Sequence, residues 1–132
     1  MNKRYKANRA GFNLIEIMIS LILISILAAA AIPEYKKIVM KTKQSEAKAM
    51  LSSIYSAQHI FMLENSSYAS TMAELPISPP ESTLYTYTLS TEANGQSYTA
   101  RAEANLDDDD TLDVWTVDQE HIIENTVSDI VE

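Results

Sequence analysis

The chain has 132 residues, no cysteine, only two glycines and a formal net charge of −8. Disulfides and thiolate chemistry are excluded, and two isolated glycines cannot build a phosphate-cradling loop. The acidic balance argues against a nucleic-acid binder, which needs a basic stripe; no nucleic-acid site is evident.

The charge is unevenly spread. Lys3, Arg4, Lys6 and Arg9 make the first eleven residues purely basic, so six basic against 18 acidic side chains remain from Phe12 onward. Basic residues before an apolar run keep that end cytoplasmic and send the rest across the membrane. The run opens with Gly11-Phe12-Asn13-Leu14-Ile15-Glu16 and reaches Ile32. Its lone carboxylate, Glu16, costs roughly 2.5–3.5 kcal/mol in hydrocarbon and calls for a partner. An ordinary secretory signal has similar parts, with an Ala-x-Ala site in Ala28-Ala29-Ala30-Ala31, and would release a soluble periplasmic binding domain starting near Ile32. Against it, Glu16 would be unexplained and the helical pattern continues past the alanines.

One helix is expected over residues 12–64, about 80 Å at 1.5 Å per residue. Residues 12–33 are apolar on all faces, which means burial in lipid or in an assembly. Ser20 and Ser25 can bond back to the preceding turn. Pro33 lacks an N–H and is expected to break or kink the helix. Residues 34–64 are amphipathic. Lys36, Lys37, Lys41, Lys43 and Lys48 mark a polar face, while Ala47, Leu51, Ile54, Gln58 and Phe61 form a 4-3-4-3 stripe, the floor of a core.

Asn65-Ser66-Ser67 ends the helix. An irregular connection through Leu75-Pro76 and Pro79-Pro80 leads to strands at residues 84–89, 97–104 and 111–117, with a weaker fourth element near His121-Ile122-Ile123. Asn94-Gly95 is a hairpin signal. Tyr98, Ala100, Ala102 and Ala104 alternate, and small alanines let that strand lie close to the helix. In the third strand, Leu112, Val114 and Thr116 are placed inward, and Trp115 and Val117 outward. The fold class is α+β: a long helix packed on a small antiparallel sheet, with residues 65–132 as the head. A head this small needs the helix to complete its core.

The basic leader, Gly11-Phe12 and Glu16 together resemble the type IV pilin and pseudopilin superfamily, most nearly a short type IVa pilin. The resemblance implies cleavage after Gly11 by a prepilin peptidase, with residues 1–11 as leader, and N-methylation at Phe12. It implies a homo-oligomeric helical filament in which Glu16 pairs with the N-terminal ammonium of Phe12 on another subunit. The partners implied are the peptidase/methyltransferase, an inner-membrane assembly platform and its ATPase. The location implied is the bacterial inner membrane before assembly and an extracellular pilus after it. The output would be structural, for adhesion, motility or DNA uptake, with a type II secretion pseudopilin as the alternative within the superfamily. Many type IVa pilins close a C-terminal loop with a disulfide, from which this chain departs.

The run Asp107-Asp108-Asp109-Asp110 with Asp113 offers oxygens suited to Ca²⁺, and Asp107, Asp109 and Asp113 are the candidate ligands. No EF-hand spacing is present and adjacent aspartates diverge, so a solvated acidic loop without a cofactor is the simpler reading. His59 and His121 lack zinc spacing. No Gly-x-Ser-x-Gly occurs, so catalysis is not supported. Tyr35, Tyr55, Tyr85, Tyr87 and Tyr98 read as packing residues.

Overall fold

A computed structural model of the chain describes residues 11–79, 84–107 and 109–130. The basic leader residues, Pro80, Asp108 and the last two residues lie outside these. The chain divides into two compact units, Met1–Lys36 and Lys37–Glu132.

Helix α1 spans Leu14–Asn65, 52 residues, and starts on a capping box: Asn13 Oδ1 accepts from Ile15 N at 3.4 Å, and the Asn13 N–H donates to Glu16 Oε2 at 2.9 Å. Such reciprocal bonds satisfy helix N–H groups that have no partner within the helix. Ser20 and Ser25 donate to the carbonyls of Glu16 and Leu21, both at 2.8 Å, as their spacing suggests. The expected break at Pro33 is absent, because residues on both sides are helical. A proline forfeits one backbone bond, but its fixed φ suits a helix, and the bonds of its neighbours hold the turn.

The second unit contains an antiparallel meander in the order β1-β2-β3-β4: β1 Thr86–Thr91, β2 Tyr98–Ala104, β3 Asp113–Asp118 and β4 Ile123–Val127. Of the floor expected on α1, Ala47, Leu51, Ile54 and Gln58 are buried and Phe61 is partly buried; with Ala57, which is also buried, they are set against Tyr98, Ala100, Ala102, Trp115 and Val117. The inward alanines of β2 are as expected. The orientation of β3 is reversed. Register pairs Trp115 with Ala102 and Val117 with Ala100, on the alanine face, and Val117 is fully buried while Leu112 is 42% exposed. Apolar residues at 112, 114, 115 and 117 fit either pleat, and cross-strand register decides between them.

Gln58 explains how a polar residue sits in the stripe. Its amide accepts from Ala69 N at 2.8 Å and donates to Ala69 O at 3.1 Å, fixing the chain as it leaves the helix. Ser66 supplies the left-handed turn (φ 59°). The β1–β2 turn packs there: Gly95 (φ 65°) accepts from Tyr68 N at 2.9 Å, and a Cβ on Gly95 would stand 2.9 Å from Ser67 Cβ. Only glycine meets both the positive φ and this close approach without strain.

Candidate functional site

Two places carry chemistry. At the first, Phe12 is 87% exposed and Glu16 caps the helix through one carboxylate oxygen. Its other oxygen, Oε1, has no hydrogen bond among the described residues. Among the described residues, no atom lies within 4 Å of where a Gly11 side chain would begin, so neither packing against them nor positive φ requires glycine there. Beyond Glu16, every large apolar side chain from Ile17 to Leu27 is about half exposed or more, from 48% at Ile17 to 70% at Leu27. α1 contains a stretch, mean hydropathy 2.6 and none of it buried, that is long and apolar enough to cross a membrane.

The second place is in the head. Asp113, fully buried, is a hydrogen-bond hub. Its Oδ2 accepts from Tyr85 Oη at 2.6 Å and Trp115 Nε1 at 2.7 Å. Its Oδ1 accepts from Gln44 Nε2 at 2.9 Å, Asn125 Nδ2 at 3.0 Å and Asp129 N at 3.4 Å. Five donors converge from α1, β3, β4 and both flanks of the sheet, and such donors satisfy a buried carboxylate. Burial, then the bond to Asp113, raise the Tyr85 hydroxyl well above its ordinary range, so it stays a donor. Burial also pushes Tyr87 up to about 12, with the Glu46 charge assisting. The Lys48 ammonium lies 4.3 Å from the centre of the Trp115 ring, a cation–π contact that closes the same layer.

Asp113 is therefore not the cation ligand expected, since donors already occupy its oxygens. Asp107 and Asp109 do come together, but with Asp129, a residue sequence reasoning missed: carboxylate oxygens of the three lie within 4.8 Å of one another. Asp107 and Asp109 are exposed, whereas Asp129 is 2% exposed. Asp129 lies in an unremarkable C-terminal stretch, and no spacing rule ties it to the Asp107 loop. The Asn13-x-x-Glu16 cap was also missed, although Asn followed three residues later by Glu is a capping-box signal. Of the tyrosines, Tyr55 stacks on His121 with ring centres 4.1 Å apart, while Tyr35 is 69% exposed.

Comparison with known proteins bears on the first place and on the fold. A family model described as the prokaryotic N-terminal methylation motif matches residues 6–32. A second, described as "Type IV minor pilin ComP, DNA uptake sequence receptor", matches residues 33–112, more than half of the chain. The chain belongs to this type IV pilin family. Among pilins, it is similar to the type IV major pilin protein PilA of Myxococcus xanthus (strain DK1622), 40% identical over 90 residues. That match covers 68% of this chain but 41% of PilA, so the chain spans about two fifths of the length of this curated relative. A solved type IV pilin from Shewanella oneidensis matches 65% of this chain and 91% of its own, at 15% identity and a TM-score of 0.47. The helix-on-sheet architecture expected of a pilin is the one observed.

Proposed function

We propose that this pilin is a structural subunit of a type IV pilus, cut after Gly11, N-methylated at Phe12 and polymerised through its N-terminal helix. Residues 1–11 are the leader, 12–33 the membrane and filament-core segment, 34–64 the amphipathic half and 65–132 the head. The observation that carries the reading is the exposed apolar surface behind Glu16, none of it buried. Such a surface is stable only in lipid or against copies of itself. Cleavage would place the Phe12 ammonium about one helical turn, roughly 6 Å at 1.5 Å per residue, from Glu16 of its own chain. The free Oε1 of Glu16 can accept the ammonium of a neighbouring subunit while Oε2 keeps the helix capped. Two charges left unpaired in such a medium are costly, so the pairing favours docking at one axial offset. The glycine at position 11, with no structural need of its own, fits close approach by a protease.

The partners in this reading are identical subunits, the prepilin peptidase/methyltransferase, and the inner-membrane platform with its ATPase. The pilin passes from the inner membrane to a surface filament, serves adhesion, motility or DNA uptake by its architecture, and catalyses nothing. The family description names a DNA uptake sequence receptor. Direct DNA contact by this head is disfavoured, since from residue 49 on Arg101 is the one basic side chain against 15 acidic ones.

The test separates the charge of Glu16 from its cap. Glu16→Ala removes both, whereas Glu16→Gln keeps a capping side chain and removes the charge. Both variants are expected to be processed normally, to accumulate in the membrane and to yield at least about tenfold less sheared filament, the scale of one lost charge-assisted contact. Wild-type filament yield from Glu16→Gln would assign Glu16 to capping alone and overturn the pairing.

A further inference from the structure

Register places Ser90 of β1, Thr99 of β2 and Asp118 of β3 in one row across the sheet. The row stands on the face turned away from α1, because the alternate residues Tyr98, Ala100 and Val117 fill the core. At its end the β1–β2 turn brings up Glu92 and Ser97, and the β3–β4 turn follows Asp118. These residues line a cavity of about 320 Å³, with no basic side chain among the described residues of its wall. Asp118 Oδ1 accepts from Glu120 N at 2.9 Å and Ile122 N at 3.1 Å, which leaves Oδ2 without a partner among the described residues. The Glu92 carboxylate makes neither a hydrogen bond nor an ion pair among them. Two wall residues, Ser97 and Tyr98, carry hydroxyls that are buried and have no hydrogen-bond partner. Burial holds the Tyr98 hydroxyl above its ordinary range, so it keeps its proton. Buried hydroxyls left unpaired are unfavourable, and a ligand that bonds to such a wall relieves them.

We propose that this cavity binds a sugar carrying a free amine. Its volume lies at the lower end of the roughly 300–1,000 Å³ typical of small-molecule sites, which suits a single sugar ring. The hydroxyls of Ser90, Ser97 and Thr99 both donate and accept, as sugar hydroxyls do, so each can be matched in either sense. The carboxylates of Glu92 and Asp118 accept without donating, and an ammonium group gives them charge-assisted bonds, the stronger kind. The same two charges repel phosphate, sulfate and uronic acids. A bare metal ion is the weaker fit. Among the described residues, the acids grouped closely enough to hold one are Asp107, Asp109 and Asp129, and none of them lines this cavity. A wall of short hydroxyls offers little to an apolar ligand. The proposal rests on the reading of the chain as a surface subunit, for which it names the chemistry an adhesive head would meet.

Binding is tested on the full chain, isotope-labelled for amide NMR, in micelles of a detergent without a sugar headgroup, so that filament formation does not enter. Glucosamine, glucose, N-acetylglucosamine and methylamine are titrated separately at a pH where the amines are protonated. Glucosamine is expected to move the Ser90, Thr99 and Asp118 amides saturably and to leave those of Asp107 and Asp109 in place. The other ligands lack either the charge or the hydroxyls, and each should bind at least about tenfold more weakly, the scale of one charge-assisted contact. Glu92→Gln/Asp118→Asn keeps an oxygen to cap the turn after β3 and should bring glucosamine down to the affinity of glucose. Thr99→Val, at an exposed strand position that suits a β-branched residue, should weaken both sugars together. Glu120→Gln, an acid outside the cavity, should bind as wild type. No saturable shift at these amides, methylamine binding as tightly as glucosamine, or an unchanged preference for glucosamine in the double variant would overturn the site. Any of these failures leaves the filament reading standing, because that reading is decided by the Glu16 variants.

Discussion

Residues 14–32 and residues 47–61 belong to one helix, yet their side chains meet opposite surroundings. In the first stretch the large apolar side chains are exposed, from 48% at Ile17 to 77% at Leu14, while the second buries Ala47, Leu51, Ile54, Ala57 and Gln58. The difference lies in periodicity. An all-round apolar helix has no preferred face and cannot be satisfied by one small sheet, whereas a stripe can. The first stretch therefore reads as a surface for other molecules, and the second as the part of the head that makes it a folded body. Pro33 lies between them without ending the helix.

The comparison can be broken at several strengths. The largest effect is expected at Asp113, where five donors lose their acceptor at once. Asp113→Ala should cost about 3–5 kcal/mol in urea unfolding of the detergent-solubilised chain, and a loss under 1 kcal/mol would show that the hub contributes little. Next comes a matched pair. Leu51→Ala should cost about 2–5 kcal/mol, whereas Ile22→Ala should stay within about 0.5 kcal/mol in the same assay and lower filament yield instead. Equal destabilisation by both would erase the distinction between the two stretches. Within the head, a smaller loss than at Leu51 is expected where the β1–β2 turn packs on the helix exit. Gly95→Ala should cost about 1–3 kcal/mol, from the positive φ and the contact with Ser67, and an unchanged midpoint would show that the turn can move aside.

Much of this organisation was legible in the sequence because it rests on periods and punctuation. The stripe from Ala47 to Gln58, the inward alanines of β2, the helix end at Asn65 and the hairpin at Asn94-Gly95 are each set by local pattern. What local pattern left open was settled by register and long-range closure. The Thr111–Val117 stretch suits two pleats, and pairing with β2 selected the one that buries Trp115. Asp113 stood in an acidic run and looked like a loop ligand. Only the convergence of Gln44, Tyr85 and Asn125, up to 69 residues away in sequence, makes it a core acceptor. Asp129 was invisible for the same reason. Pro33 was expected to break or kink the helix, but one missing hydrogen bond is a small loss in a helix of 52 residues.

The central claim, that the exposed apolar helix is a polymerisation segment released by a cut after Gly11, is tested most directly by the intact mass and N-terminal fragment spectrum of the subunit in filaments sheared from the cell surface. The account predicts a chain beginning at Phe12 and carrying one added methyl group on its amine. A chain beginning near Ile32, or one retaining Met1 in the filament, would contradict it.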